Sequence, residues 1–245
     1  MIHLSLICFT DGREGLLQRT LDSFDKMIKL DGDMKWLQRL LIDDSANPSY
    51  NQYIVDNFLD AGRFTGAIFH PIRLGFCRSI WDAWRRLEVG SDFVFHLEDD
   101  FLFLREIQLR DMVRVLRTEP DLAQIALVRQ PWNETEKKAG GLIESRLDQY
   151  QQWSTLKESY IHNRPAFVGP DSDRIYWLRH RSYFTTNPCL YPRNIPYLGW
   201  PLEKHCEGVF THKLLKKGLD FAHLGSFGDK PTVWHIGDQR VGKGY

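Results

Sequence analysis

The chain has 245 residues, 42% of them hydrophobic and 13% aromatic, enough apolar material for a sizeable core and too much for a disordered segment. Lys plus Arg and Asp plus Glu both number 32, giving a formal net charge of zero, and that balance gives no support to bulk nucleic-acid binding. Cys8, Cys77, Cys189 and Cys206 show no C-x-x-C spacing, which points away from a disulfide framework or zinc cluster and toward reduced thiols in a cytoplasmic protein.

The opening MIHLSLICFTDGR is too short for a membrane span and lacks a basic leader, so it is read as a first strand over 4–9 followed by a polar turn at Thr10, Asp11, Gly12 and Arg13. Apolar residues at Leu17, Leu21, Phe24 and Ile28 then recur with a helical period over 16–28. The alternation continues with a strand at 40–42 ending in Asp43, Asp44 and Ser45, a helix at 50–59, a strand at 67–69 and a helix at 80–87. A fourth strand at 93–97, a helix at 107–117 and a strand at 125–128 complete the first half. This pattern predicts an α/β fold with a mostly parallel central sheet flanked by helices. In such sheets ligands gather at the C-terminal strand edges, which places Asp11, Asp44 and the 98–100 carboxylates on one rim.

From Trp132 to Pro201 the periodicity fades and Pro, Gly, Tyr, Trp and Arg become frequent, predicting an irregular, functional loop region with short strands. A helix is expected at 202–217, stopped by Gly218. No linker separates the halves, so one domain is expected over 1–245, with the strand–helix alternation in 1–130 and the irregular part in 131–245.

The most informative segment is FVFHLEDDFLF at 93–103. Glu98, Asp99 and Asp100 interrupt an apolar run, and burying three unpaired carboxylates would be costly. A hard divalent cation such as Mn2+ or Mg2+ would resolve the conflict and would leave coordination positions for substrate phosphates. A solvated acidic turn closing a strand is the other reading of the same residues.

The order of segments resembles the family 2 glycosyltransferases, which have the nucleotide-sugar-binding GT-A fold. LSLICFTDGREGLLQRTLDSF is similar to their opening strand and helix, RLLIDDSANPS to their Asp-Asp-Gly-Ser segment, HPIRLGFCRSIWDAW to their Gly-and-Arg segment, and FVFHLEDDFLF to their acidic metal motif. The resemblance implies a metal-dependent, inverting hexosyltransferase, of a kind found in bacteria and their viruses, using a UDP-sugar and a divalent metal. Its acceptor would be a glycan, lipid or protein, with 1–130 the nucleotide-sugar-binding half and 131–245 the acceptor-binding and catalytic half.

By the same resemblance Asp44 would accept the pyrimidine N3–H, a contact that separates uracil from cytosine, while Phe9, Thr10 and Asp11 would line the nucleoside. Turn formation is the expected role of Asp43. Arg73, rather than Arg78, would approach the diphosphate. Asp100 would be the direct metal ligand, Asp99 a donor or metal-shell contact, and Glu98 stands where the family more often has Asp. His235 would reach the metal as a C-terminal ligand, and Glu207, with Glu203 in reserve, would be the catalytic base. Trp200 is the preferred aromatic for stacking on the acceptor, and the turn at Thr185, Thr186, Asn187 and Pro188 would shape the acceptor pocket. Arg240 and Lys243 would either cover the diphosphate or lie in solvent. Two other readings stay open: a nucleotidyltransferase, and a nucleotide-sugar-binding module without catalysis.

Overall fold

The computed structural model describes residues 1–157 and 174–237; Arg240 and Lys243 lie outside them. In chain order the elements are β1 (Ile2–Thr10), α1 (Glu14–Met27), β2 (Ile28–Lys29), β3 (Met34–Asp43), α2 (Pro48–Ile54), β4 (Gly66–Phe69), α3 (Phe76–Arg85), β5 (Phe93–Glu98), β6 (Phe101–Phe103) and β7 (Ile107–Gln108). They continue with α4 (Leu109–Thr118), β8 (Leu122–Leu127), α5 (Glu134–Ala139), β9 (Tyr150–Leu156), β10 (Arg174–His180), β11 (Cys189–Pro192), α6 (Cys206–Leu215), β12 (Asp220–Leu224) and β13 (Val233–His235).

One nine-stranded sheet, ordered β4-β3-β1-β5-β11-β8-β12-β10-β9, organises both halves of the chain. It is parallel from β4 to β5, as the strand–helix alternation predicts. Beyond β5 it is mixed: β11 runs antiparallel to both β5 and β8, β12 is parallel to β8, and β10 and β9 are antiparallel additions. The expectation of a mostly parallel sheet therefore holds for the first half only. The second-half strands come from a segment rich in Pro and aromatic residues, where no run of apolar period announces them.

Strand β1 shows why the sheet is covered on both faces. Leu4, Leu6 and Cys8 point into one apolar cluster and Ile7 and Phe9 into the other, the two-residue period of a strand applied to an uninterrupted apolar run. Leu17, Leu21 and Phe24 of α1, spaced by four and three residues, seal the first cluster together with Met112, Val113 and Leu116 of α4. Ile80, Ala83 and Trp84 of α3 and Phe210 and Leu214 of α6 seal the second. The parallel half thus brings the C-terminal ends of β1, β3 and β5 together. The second apolar cluster ties α6, the helix carrying Glu207, to the same sheet.

Two small ladders bring distant segments to those ends. Strand β13 pairs antiparallel with β6, setting His235 opposite Phe101 and Val233 opposite Phe103. The N–H of Ile236 then donates to the carbonyl of Asp100 at 2.7 Å. A Cys77–Cys206 disulfide, with Cα atoms 6.1 Å apart and a sequence separation of 129, joins the start of α3 to the start of α6. This corrects the expectation of four reduced thiols: only Cys8 and Cys189 are free, both buried. Sequence spacing could not show the pairing, because the fold alone brings the two helix starts together. No helix among the described residues is long and apolar enough to cross a membrane.

Candidate functional site

The acidic turn after β5 is built inward. The N–H of Asp99 donates to the carbonyl of Phe9 at 2.9 Å, and Thr20 Oγ1 donates to the Asp99 carbonyl at 2.7 Å while accepting from the Phe101 N–H at 3.1 Å. The turn is thereby clamped to β1 and α1, and both Asp99 and Asp100 are buried. Asp99 accepts from Thr10 Oγ1 at 2.6 Å, and Thr10 Oγ1 in turn shares a 2.7 Å hydrogen bond with Tyr50.

The charges of the pair are met by Arg13, a residue the sequence shows only as part of a polar turn. Its guanidinium pairs with Asp99 and reaches Asp100 Oδ2 at 2.7 Å. His235 Nε2 lies 3.3 Å from the same Oδ2. Burial pushes Asp99 up to about 6, with Arg13 opposing that rise. For Asp100 burial pushes the same way, but His235 and Arg13 outweigh it and hold the carboxyl below its usual value. Gly237 closes this corner from the tail side, since a Cβ there would collide with Asp100 Oδ2 and crowd Arg13.

Whether the corner suits a divalent metal follows from its spare donors. Asp100 Oδ1 is buried without a hydrogen-bond partner, and His235 Nδ1 is likewise unpartnered among the described residues. A carboxylate oxygen and an imidazole in one corner suit Mn2+ or Mg2+. Among the described residues no three His, Cys, Asp or Glu groups are arranged to hold an ion, so the protein offers part of a coordination shell and a substrate diphosphate would have to supply more. The backbone holding His235 is itself fixed: Gln130 accepts from the His235 N–H at 2.8 Å and donates to its carbonyl at 3.0 Å.

The second rim lies at the end of β3. Asp43 turns back on Ser45, accepting from its N–H at 3.1 Å and its hydroxyl at 2.7 Å, the turn-forming role expected of it. Asp44 reaches the 70–75 loop: Oδ1 accepts from Leu74 N–H at 2.8 Å and faces His70 Nδ1 at 2.8 Å, and Oδ2 accepts from Gly75 N–H at 2.8 Å. Although burial opposes it, these hydrogen bonds hold Asp44 below the ordinary carboxylate range. Arg73 pairs with Asp11 at 3.1 Å and is 62% exposed, whereas Arg78 lies over the Trp81 ring at 4.2 Å. Phe9 is buried against His96, ring to ring at 4.8 Å.

Beside these rims opens a cleft of about 840 Å³ whose walls include Glu98, Phe101, Thr186, Glu207 and His235. None of Phe9, Thr10, Asp11, Asp44 or Arg73 lines it, so these strand-end residues lie outside the cleft, while Glu98 and Phe101 on either side of the Asp99–Asp100 pair line it. Glu207 stands in the first turn of α6, where Cys206, Phe210 and Leu214 face the core and turn it toward the cleft. Its Oε1 accepts from both the N–H and the hydroxyl of Thr186 at 2.9 Å. Burial raises its carboxyl above the ordinary value, with the Thr186 hydrogen bonds opposing. Burial also raises Glu98, followed by repulsion from Asp100 and Glu207. Glu203 is exposed and does not line the cleft.

The structure moves Trp200 away from the role expected of it. The indole is 4% exposed and packs edge-on to Trp84 at 5.1 Å and against Phe210 at 4.9 Å, so it has no free face for an acceptor and acts as core beneath α6. Trp132 does line the cleft and meets His235 edge-on at 4.2 Å. Trp132 was one of several second-half aromatics open to a stacking role, with Trp200 preferred, whereas Arg13 and Gly237 carried no site role in the sequence. The one signal for Arg13 is a guanidinium on the first strand's rim, opposite an acidic turn that needs a counter-charge.

Neither protein-family models nor curated protein sequences match this chain. Solved structures do. It superposes on GalNAc-T7 with UDP, GalNAc and Mn2+ at a TM-score of 0.63 and 11% identity, covering 97% of this chain and 44% of that one. The mannosyltransferase PcManGT from Pyrobaculum calidifontis, in complex with GDP-Man and Mn2+, gives 0.59 and 12%, covering 97% and 58%. S. aureus TarS 1-349 gives 0.56 and 13%, covering 96% and 60%. The chain therefore spans roughly half the length of these proteins and has the fold of the GT-A glycosyltransferases.

Proposed function

We propose that this protein is a metal-dependent, inverting glycosyltransferase that moves a sugar from a UDP-sugar to an acceptor hydroxyl. The observation that carries the reading is the convergence, on a GT-A fold, of a half-buried candidate carboxylate base and a carboxylate–imidazole corner on one cleft. Glu207 and His235 both line that cleft, and Asp100 lies 3.3 Å behind His235. The similar structures that hold UDP with Mn2+ and GDP-Man with Mn2+ support the same assignment.

In this reading the donor lies along the β1 and β3 ends. Asp44 Oδ2 accepts one hydrogen bond, from Gly75, and so keeps capacity for an imide N–H, which favours a uracil ring. Arg73 would exchange Asp11 for a phosphoryl oxygen. Asp100 and His235 would hold the divalent metal, which when bound supplies positive charge for the departing diphosphate. Glu207 takes the proton of the acceptor hydroxyl as that oxygen bonds to the anomeric carbon. The bond from that carbon to the diphosphate oxygen breaks, and its electron pair leaves with the diphosphate. The raised pKa of Glu207 makes it a stronger proton acceptor than a solvated glutamate.

The test is Asp100→Asn. Calorimetry should show loss of Mn2+-dependent UDP binding, and donor hydrolysis and transfer should cease while the far-UV spectrum stays that of the parent. Full activity in that variant, or in chelator-treated wild type, refutes the metal role. Pyrophosphate in place of UDP among the products would favour a nucleotidyltransferase.

A further inference from the structure

The cleft wall away from the donor rims carries positive charge that the protein leaves unneutralised. Arg129 is not part of that surplus, because it is paired with Glu136 at 2.7 and 3.1 Å. Glu136 is in turn fully used: Trp132 N–H at 2.7 Å and Asn133 Nδ2 at 3.1 Å complete four donors on its two oxygens. Arg146, the next arginine on this wall, therefore cannot gain a good hydrogen bond from Glu136, and among the described residues it has no ion-pair partner. Its guanidinium lies over the Tyr183 ring at 5.5 Å, and that ring is held by a 2.8 Å hydrogen bond to Tyr150. Arg146 also sits at a break between two short 3-10 turns, at φ −148° and ψ 37°, which aims a half-buried cation at the cleft.

The segment leading into α6 lines the same cleft. Lys204 and His205 line the cleft and are exposed, without carboxylate partners among the described residues. They lead into α6, a ten-residue helix whose first turn receives no side-chain cap, and whose amides and dipole favour an anion. His205 holds a left-handed φ of +61°, a strained backbone for a residue with a Cβ, and the disulfide at Cys206 fixes the chain immediately after it. Of the other acidic residues of the cleft, Glu207 stands in the first turn of α6 and is held by Thr186, and Glu98 lies close enough to Glu207 to be raised by it.

We propose that the acceptor is an anionic molecule, its phosphate or carboxylate held by Arg146 and Lys204 near the first turn of α6 while its hydroxyl is presented to Glu207. The inference rests on the glycosyl-transfer reading and narrows its substrate class. A planar guanidinium braced on an aromatic ring suits a two-oxygen anion, and an ammonium on a flexible stem suits a phosphate as a point charge.

The experiment titrates four probes, glycerol, glycerol phosphate, glucose and glucuronate, by saturation-transfer NMR, with and without UDP and Mn2+. The anionic member of at least one pair should bind roughly tenfold or more tightly than its neutral partner, as expected for a charge-assisted contact. Arg146→Gln and Lys204→Gln should each remove most of that preference, with the UDP affinity of both variants at the parent value. The glycerol pair identifies a phosphate and the glucose pair a carboxylate. Equal binding of neutral and anionic probes overturns the proposal. So does a fall in UDP affinity in the variants, which would give these cations to the donor diphosphate. Failure of UDP to bind the wild type counts against the donor reading, while the probe preference and its loss in Arg146→Gln still decide the anion site.

Discussion

The sharpest quantitative consequence concerns three imidazoles outside the catalytic groups. His96 and His223 are buried, His223 with both ring nitrogens unpartnered among the described residues, and His180 stacks on His223 at 5.0 Å. Burial lowers His96 to about 3; burial with Arg129 lowers His223 to about 3; burial, His223 and Arg146 lower His180 to about 2. A histidine depressed in the folded state contributes stability that is present above its unfolded pKa of about 6.5 and is lost as pH falls toward the folded value. Between pH 7.5 and 5 each such group withdraws about 2 kcal/mol, so three withdraw about 6 kcal/mol. That is comparable to the whole stability of a typical domain, about 5–15 kcal/mol. Urea unfolding followed by tryptophan fluorescence across this range should show the loss, and His223→Leu should reduce it by about 2 kcal/mol whatever its effect at pH 7.5. Parallel pH profiles for the variant and the parent would refute the reasoning.

Glu207→Gln retains an oxygen for Thr186 but cannot take a proton, so kcat should fall by about 10²–10⁴ while donor affinity in calorimetry is unchanged; an unaltered kcat would remove Glu207 from the chemistry. Trp200→Ala empties a core site and should cost about 3–5 kcal/mol in urea unfolding, whereas unchanged stability with a raised acceptor KM would restore the stacking role. Cys77→Ser releases a loop closed over 129 residues and should lower stability by up to about 5 kcal/mol in the chain-entropy account. Wild type should show the same loss under reductant, and equal thiol titres with and without reductant would refute the bond.

What could be read in the sequence was what short-range patterning encodes. The apolar run of β1 and the three- and four-residue spacing in α1 announced a two-faced sheet, and the strand–acid order placed Asp44 and the 98–100 carboxylates on one rim. His235 was legible as a tail residue, yet its position beside Asp100 depends on the pairing of β13 with β6. What escaped was set by long-range contact. The antiparallel strands β9 to β11 lie in a segment without a period, Cys77 and Cys206 meet only once α3 and α6 pack on one face, and Trp200 resembles a binding aromatic until Trp84 and Phe210 enclose it. Asp44 was legible as a carboxylate at a strand end, but not its clasp on Leu74 and Gly75, which needs the 70–75 loop folded beside β3.

Arg13 changes what the acidic corner needs in order to form. Two buried carboxylates with no internal counter-ion would make a chain wait for a cation from solution, so that losing the ion meant losing the structure. Here the counter-ion is covalently attached to the chain, one turn from the first strand, and reaches both carboxylates. The corner is thereby charge-balanced from within the chain: its assembly does not depend on an ion from solution, and a metal used in the proposed reaction would meet a site already formed.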